Sequence, residues 1–156
     1  MVSLIVDRAV TERLSPGARR WLRRRLARMV RAAGLADRVR GDLEVAFRIT
    51  DDRNMKQLNR AYRGDNRPTD VLAFAQREGE GAGLHAEVLG DIAISAQTAA
   101  RQARRGLRRE ILHLSAHGLC HLLGHDHATA AEDAAMKARV EALLSEAERR
   151  GPTHAA

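Results

Sequence analysis

The stretch HLSAHGLCHLLGHDH, residues 113–127, holds five of the chain's seven histidines. On a helix, His113, His117 and His121 advance by four and share one face. Leu107, Ile111, Leu112, Leu119, Leu122 and Leu123 cover most of the remaining circumference, so this helix is expected to be buried. Its central polar groups are then imidazoles aimed at something that satisfies them. A lone histidine is more often a hydrogen-bonded core residue. A cluster this dense, followed by a helix stop at Gly124, points to a metal.

Residues four apart have Cβ atoms about 6 Å apart, so two imidazoles can meet one ion through bonds of about 2.0–2.1 Å. His113 could pair with His117, or His117 with His121. Gly124 lets the chain turn back beside His121, whereas His113 lies about 16 Å away at 1.5 Å per residue. The turn can therefore complete a site with His117 and His121. His125 and His127 compete for the third place, and spacing does not choose between them. All-nitrogen ligation suits zinc, although imidazole also suits copper, nickel and iron. Three protein ligands leave a fourth position open, which is the catalytic pattern.

In the metalloprotease pattern H-E-x-x-H, a glutamate beside the first histidine is the general base. Here that place is Gly118, so a peptidase would lack its proton acceptor. Glycine is also expected to leave open space beside the metal for a substrate group. Cys120 and Ser95 read as packing residues, and Cys120 has no basic partner that the sequence identifies.

Outward from this helix, strands and helices mix. Val2–Val6, Leu43–Ile49, Val71–Ala75 and Ile92–Ser95 read as strands. Ser15-Pro16 starts a helix with Leu22, Leu26, Met29, Val30 and Ala33 on one stripe, which Gly34 is expected to stop. Thr50 or Asp51 caps a helix carrying Met55, Leu58 and Tyr62. Helix resumes near Ala96 with a break at Gly106. A last helix places Met136, Val140, Leu143 and Ala147 on one side. Residues 77–83, REGEGAG, read as a loop. The length fits a single domain over 1–156.

The net charge of +7 is almost all arginine, for Lys56 and Lys137 are the only lysines. Arg19, Arg20, Arg23, Arg24, Arg25, Arg28 and Arg31 form one block, and Arg101, Arg104, Arg105, Arg108 and Arg109 a second. Both could follow a nucleic-acid backbone or simply be solvated helix faces. Arg20, Arg24 and Arg28 are the chosen RNA-binding candidates. Aromatics are 3% (Trp21, Phe47, Tyr62, Phe74), so a base-stacking platform is not expected. The single cysteine excludes an internal disulfide. The N-terminal apolar run is too short for a signal peptide, and no stretch approaches the roughly 20 apolar residues of a membrane span. The expectation is a cytoplasmic protein with no membrane association.

The run His117-Gly118-Leu119-Cys120-His121-Leu122-Leu123-Gly124-His125-Asp126-His127 resembles the H-G-x-x-H-L-x-G-Y-D-H signature of the YbeY family of bacterial rRNA-maturation endoribonucleases. Residues 58–63 (LNRAYR), 68–74 (PTDVLAF) and 90–95 (GDIAIS) are similar to further segments of that family. The similarity runs in order from about residue 40 to residue 145. Three positions depart: His125 stands at a usual tyrosine, Ala73 at a common serine and Ala75 at a common proline.

The resemblance implies an α+β fold, a small mixed sheet of about four strands packed with helices, with the metal site at the end of a buried helix. It implies one zinc per chain on His117, His121 and His127, and a functional role for Arg63 at the scissile phosphate. Asp70 and Asp126 are candidates to orient the ligating imidazoles. The implied activity is zinc-dependent hydrolysis of single-stranded RNA, in rRNA maturation and ribosome quality control. The expected partners are rRNA and the ribosome or its assembly factors. Two rivals remain: a zinc peptidase or amidohydrolase, and a non-catalytic assembly factor in which zinc is structural.

Overall fold

The computed structural model describes residues 1–37, 42–76 and 87–149. The loop read at 77–83 lies outside the described residues. Four strands, β1 (Val2–Val6), β2 (Glu44–Thr50), β3 (Val71–Ala75) and β4 (Val88–Ser95), form one sheet in the order β1-β2-β4-β3. β1, β2 and β4 run parallel and β3 is an antiparallel edge, so the sheet is mixed. Five α-helices are described: α1 (Pro16–Ala36), α2 (Asp52–Arg63), α3 (Ala96–Gln102), α4 (Leu107–Leu122) and α5 (Ala130–Glu148). The α+β reading holds.

Strand alternation sorts the two faces. Val45, Phe47, Ile49, Ile92 and Ile94 join one large core with Leu22, Leu26 and Met29 of α1, Ile111 and Leu119 of α4, and Met136, Val140, Leu143 and Ala147 of α5. The expected stripes of α1 and α5 are the ones buried. On the opposite face α2 is the only described helix that covers the sheet, where Met55 packs with Leu72 and Ala93. α4 therefore lies between the sheet and α5, as a helix apolar nearly all round should.

Side-chain caps fix the helix starts. Ser15 Oγ accepts from Ala18 N at 3.1 Å and opens α1. Of the two candidates at α2, Asp51 is the cap, accepting from Asn54 N at 2.8 Å. Thr129 Oγ1 accepts from Glu132 N at 3.1 Å at the start of α5.

Among the boundaries that differ from the sequence reading are the end of α1 and the start of β4. Gly34 does not stop α1; the helix runs on to Ala36, with Asp37 N–H bonded to Ala33 O at 3.1 Å. Gly34 is buried beside Leu43, and burial outweighs the roughly 1 kcal/mol that glycine costs a helix. β4 begins at Val88 rather than Ile92, because Gly90 pairs with Val45 on one side and Ala75 on the other. A 3-10 helix at Arg8–Arg13 has no periodic apolar signal and was not expected from sequence.

Candidate metal centre

α4 presents its histidines at its C-terminal end. Leu123 N–H closes the last turn on Leu119 O, and Gly124 takes φ 92° to reverse the chain. The His125 amide then donates to Cys120 O at 3.0 Å, which ties the turn to α4. The same turn carries Asp126, whose Oδ1 accepts from His127 N at 2.7 Å.

This geometry brings His127 to the pair on α4. The Nε2 atoms of His117 and His121 are 3.3 Å apart. Two bonds of 2.0–2.1 Å at a tetrahedral angle separate nitrogens by about 3.3–3.4 Å, so the pair fits one zinc ion. One ligand nitrogen from each of His117, His121 and His127 lies within 4.8 Å of the others. Ring centroids are 5.4 Å from His121 to His127 and 6.1 Å from His117 to His127. Among the described residues, His113 and His125 do not join this group. His113 instead faces Glu110 at 3.4 Å.

The electrostatics favour neutral, ligating rings. Burial holds the His117 imidazole below its ordinary value and His121 adds to this, while the Asp70 carboxylate opposes it. Burial also lowers His121, helped by His127 and by the guanidinium of Arg63, and opposed by Asp126. A neutral imidazole keeps a lone pair for a metal.

Arg63 ends α2, where Gly64 at φ 68° caps the helix through a bond to Arg60 O. Arg63 is exposed, and its charge acts on His121. The loop after it is held by buried Asn59, whose Nδ2 donates to Arg67 O at 2.9 Å. Asn59 was missed by sequence reasoning; a polar residue on the inner side of α2 was the available signal. Asp70 Oδ1 accepts from Val71 N at 2.8 Å and Oδ2 from Gln102 Nε2 at 3.1 Å, so its carboxylate is fixed where its charge acts on His117.

Gly118 corrects one expectation. It does not open space beside the site. A Cβ there would lie 2.9 Å from Ile92 Cγ2 and 3.3 Å from Val71 Cγ2. The glycine lets α4 approach the sheet, and the place where a peptidase carries glutamate is filled by β3 and β4. Cys120 is buried and burial pushes its thiol up to about 11, which keeps it protonated and inert. Ser95 is also buried; its hydroxyl caps α3 through Thr98 N and donates to Asp52 Oδ1 at 2.5 Å.

The two arginine blocks meet at the far end of α4. Arg25 of α1 and Arg108 of α4 both lie against the Trp21 ring, at 4.1 and 4.9 Å. Arg28 donates to Arg149 O and so caps the end of α5. Arg20 and Arg24 are exposed. Arg108 is thirteen residues from His121, about 20 Å along the helix. The RNA-binding candidates are thus remote from the histidine triad.

A family model described as Endoribonuclease YbeY matches residues 10–148. An endoribonuclease YbeY of Moorella thermoacetica is 47% identical over 129 residues, covering 77% of this chain and 83% of that one. That of Syntrophotalea carbinolica is 44% identical over 109 residues, covering 67% and 73%. The solution structure of a Thermotoga maritima protein shares the fold, with a TM-score of 0.58, 22% identity, and coverage of 94% of this chain and 89% of that one. None of the described helices is long and apolar enough to cross a membrane. With the histidine turn and the Arg63 segment lying within the matched residues, the chain belongs to the endoribonuclease YbeY family.

Proposed function

We propose that this chain is a metal-dependent endoribonuclease that hydrolyses phosphodiester bonds in single-stranded RNA during rRNA maturation. The convergence of His117, His121 and His127 beside Arg63 is the observation that carries this reading. The proposed resident metal is one zinc ion per chain, held by the three imidazoles. When bound, it supplies an activated water and a Lewis acid for phosphoryl oxygen.

The residues around it have separable tasks. Arg63 holds the non-bridging oxygens of the scissile phosphate and offsets the charge that builds up in the transition state. Asp70 and Asp126 keep the neighbouring imidazoles oriented through their charge and their fixed positions. A water oxygen bonds to phosphorus and gives up one proton as the P–O bond to the leaving nucleotide breaks, and the leaving oxygen takes up one proton, so one water is consumed for each bond cut. The ribosome or its assembly factors are the proposed partners and the cytoplasm the proposed location. The peptidase reading is disfavoured by Gly118, since a glutamate there would collide with Ile92.

The test is cleavage of matched single-stranded and duplex RNA, with peptide substrates in parallel. The expected result is cleavage of the single strand alone, lost on chelation and regained with zinc. Peptide hydrolysis without RNA cleavage would overturn the proposal.

A further inference from the structure

Among the described residues, α2 leaves part of its sheet face uncovered. A groove of about 400 Å³ opens there, floored by Ile5, Ala46 and Phe74 and walled by Leu58 and Tyr62. Ligand pockets typically span about 300–1,000 Å³. Tyr62 is 69% exposed and Ile5 56%, and both line this groove. The Tyr62 and Phe74 rings lie 4.7 Å apart at 55°, so two of the chain's four aromatics meet on this face although composition gave no reason to expect it.

Tyr62 is also the residue before Arg63, on the last turn of α2. A strand whose phosphate is held by Arg63 beside His121 has its neighbouring nucleotide within reach of the Tyr62 ring. The groove suits a base better than a phosphate. Its floor is apolar, and the one arginine among its described lining residues, Arg48, is already held by Asp7 at 2.8 Å. Gln76 and Asp91 on the rim offer polar groups to a base edge. Aromatics displayed on an open sheet face stack unpaired bases, which a duplex cannot present.

We infer that the Tyr62–Phe74 face is a stacking platform for the unpaired base next to the scissile phosphate, and that Tyr62 is the positioning residue that confers preference for single strands. This rests on the endoribonuclease reading above. The occupant is a nucleobase of the bound RNA, and a protein partner is the competing occupant.

The test uses the zinc-loaded protein and an RNA oligonucleotide with 2-aminopurine, then an abasic residue, on either side of the mapped cut. Wild type should quench the 2-aminopurine on binding, and Tyr62→Ala should not. Tyr62→Ala should raise KM roughly tenfold, with the loss falling on KM rather than kcat. Tyr62→Phe, which keeps the ring, should restore both quenching and KM. The abasic substrate should raise KM for wild type but add little to Tyr62→Ala, since each removes one side of the same stacked pair. Because Tyr62 is exposed, its removal leaves the core intact. Equal KM and quenching in wild type and Tyr62→Ala would overturn the inference and leave the face to a protein partner. Equal cleavage by wild type and Arg63→Ala would overturn the catalytic reading instead, while Tyr62-dependent quenching would still report the platform.

Discussion

Gly118 of α4 rests directly against Ile92 of β4, so closely that an added Cβ would stand 2.9 Å from Ile92 Cγ2. Ile92 is β-branched and fully buried, so it has little freedom to yield. Gly118→Ala should therefore destabilise the fold by about 1–3 kcal/mol through overpacking, despite the higher helix propensity of alanine. Urea denaturation checks this. A stability gain would mean that α4 can shift away from the sheet at no cost.

Asp52 links α2 to α3 and gives stability a defined pH dependence. Burial alone would raise its carboxyl, but hydrogen bonds from Ser95, Thr98 and Arg101 outweigh this and hold it below the usual carboxylate value. A carboxylate depressed in the folded state stabilises above its unfolded pKa, about 3.9, and that contribution is lost as pH falls through the folded pKa. Asp52→Ala should cost about 1–3 kcal/mol at neutral pH, by stranding the buried Ser95 hydroxyl. The difference from wild type should shrink below about pH 4. A gap that stays constant down to pH 3 would exclude this linkage.

The choice of third ligand is open to elemental analysis. His117→Ala, His121→Ala and His127→Ala should each lose most of a zinc content of about one per chain. His113→Ala and His125→Ala should keep it. Zinc retained by His127→Ala and lost by His125→Ala would reverse the assignment.

The arginine surface should act on affinity rather than on chemistry, being remote from the triad. Changing Arg20 and Arg24 to glutamine should flatten the salt dependence of RNA binding, by about 0.7 in log–log slope for each phosphate no longer neutralised. Arg28→Gln also removes the bond to Arg149 O and should loosen the end of α5. An unchanged slope in the Arg20 and Arg24 double variant would leave these residues as a solvated face.

What was legible in the sequence follows from periodicity and capping. The stripes Leu22–Ala33 and Met136–Ala147, the Ser15-Pro16 start and the four strands depend on local signals, and each appears in the structure. What depended on packing between distant residues was not legible. The antiparallel edge at β3, the approach of Gly118 to Ile92, the role of Asn59 in pinning Arg67 O, and the pairing of Tyr62 with Phe74 all arise only when the chain is folded. The third histidine is intermediate. Spacing left His125 and His127 level, and the family resemblance favoured His127. The bond from the His125 amide to Cys120 O shows how the turn brings His127 to the pair.

The central claim, an RNA-cleaving site built from a three-histidine metal centre and Arg63, is tested most directly by measuring zinc content and RNA cleavage together. Wild type, Arg63→Ala and His121→Ala, purified identically, should separate the two functions. Arg63→Ala should keep its zinc and lose about 100- to 1,000-fold in kcat, as expected when a donor to developing transition-state charge is removed. His121→Ala should lose both zinc and cleavage. Equal cleavage by all three proteins would contradict the account.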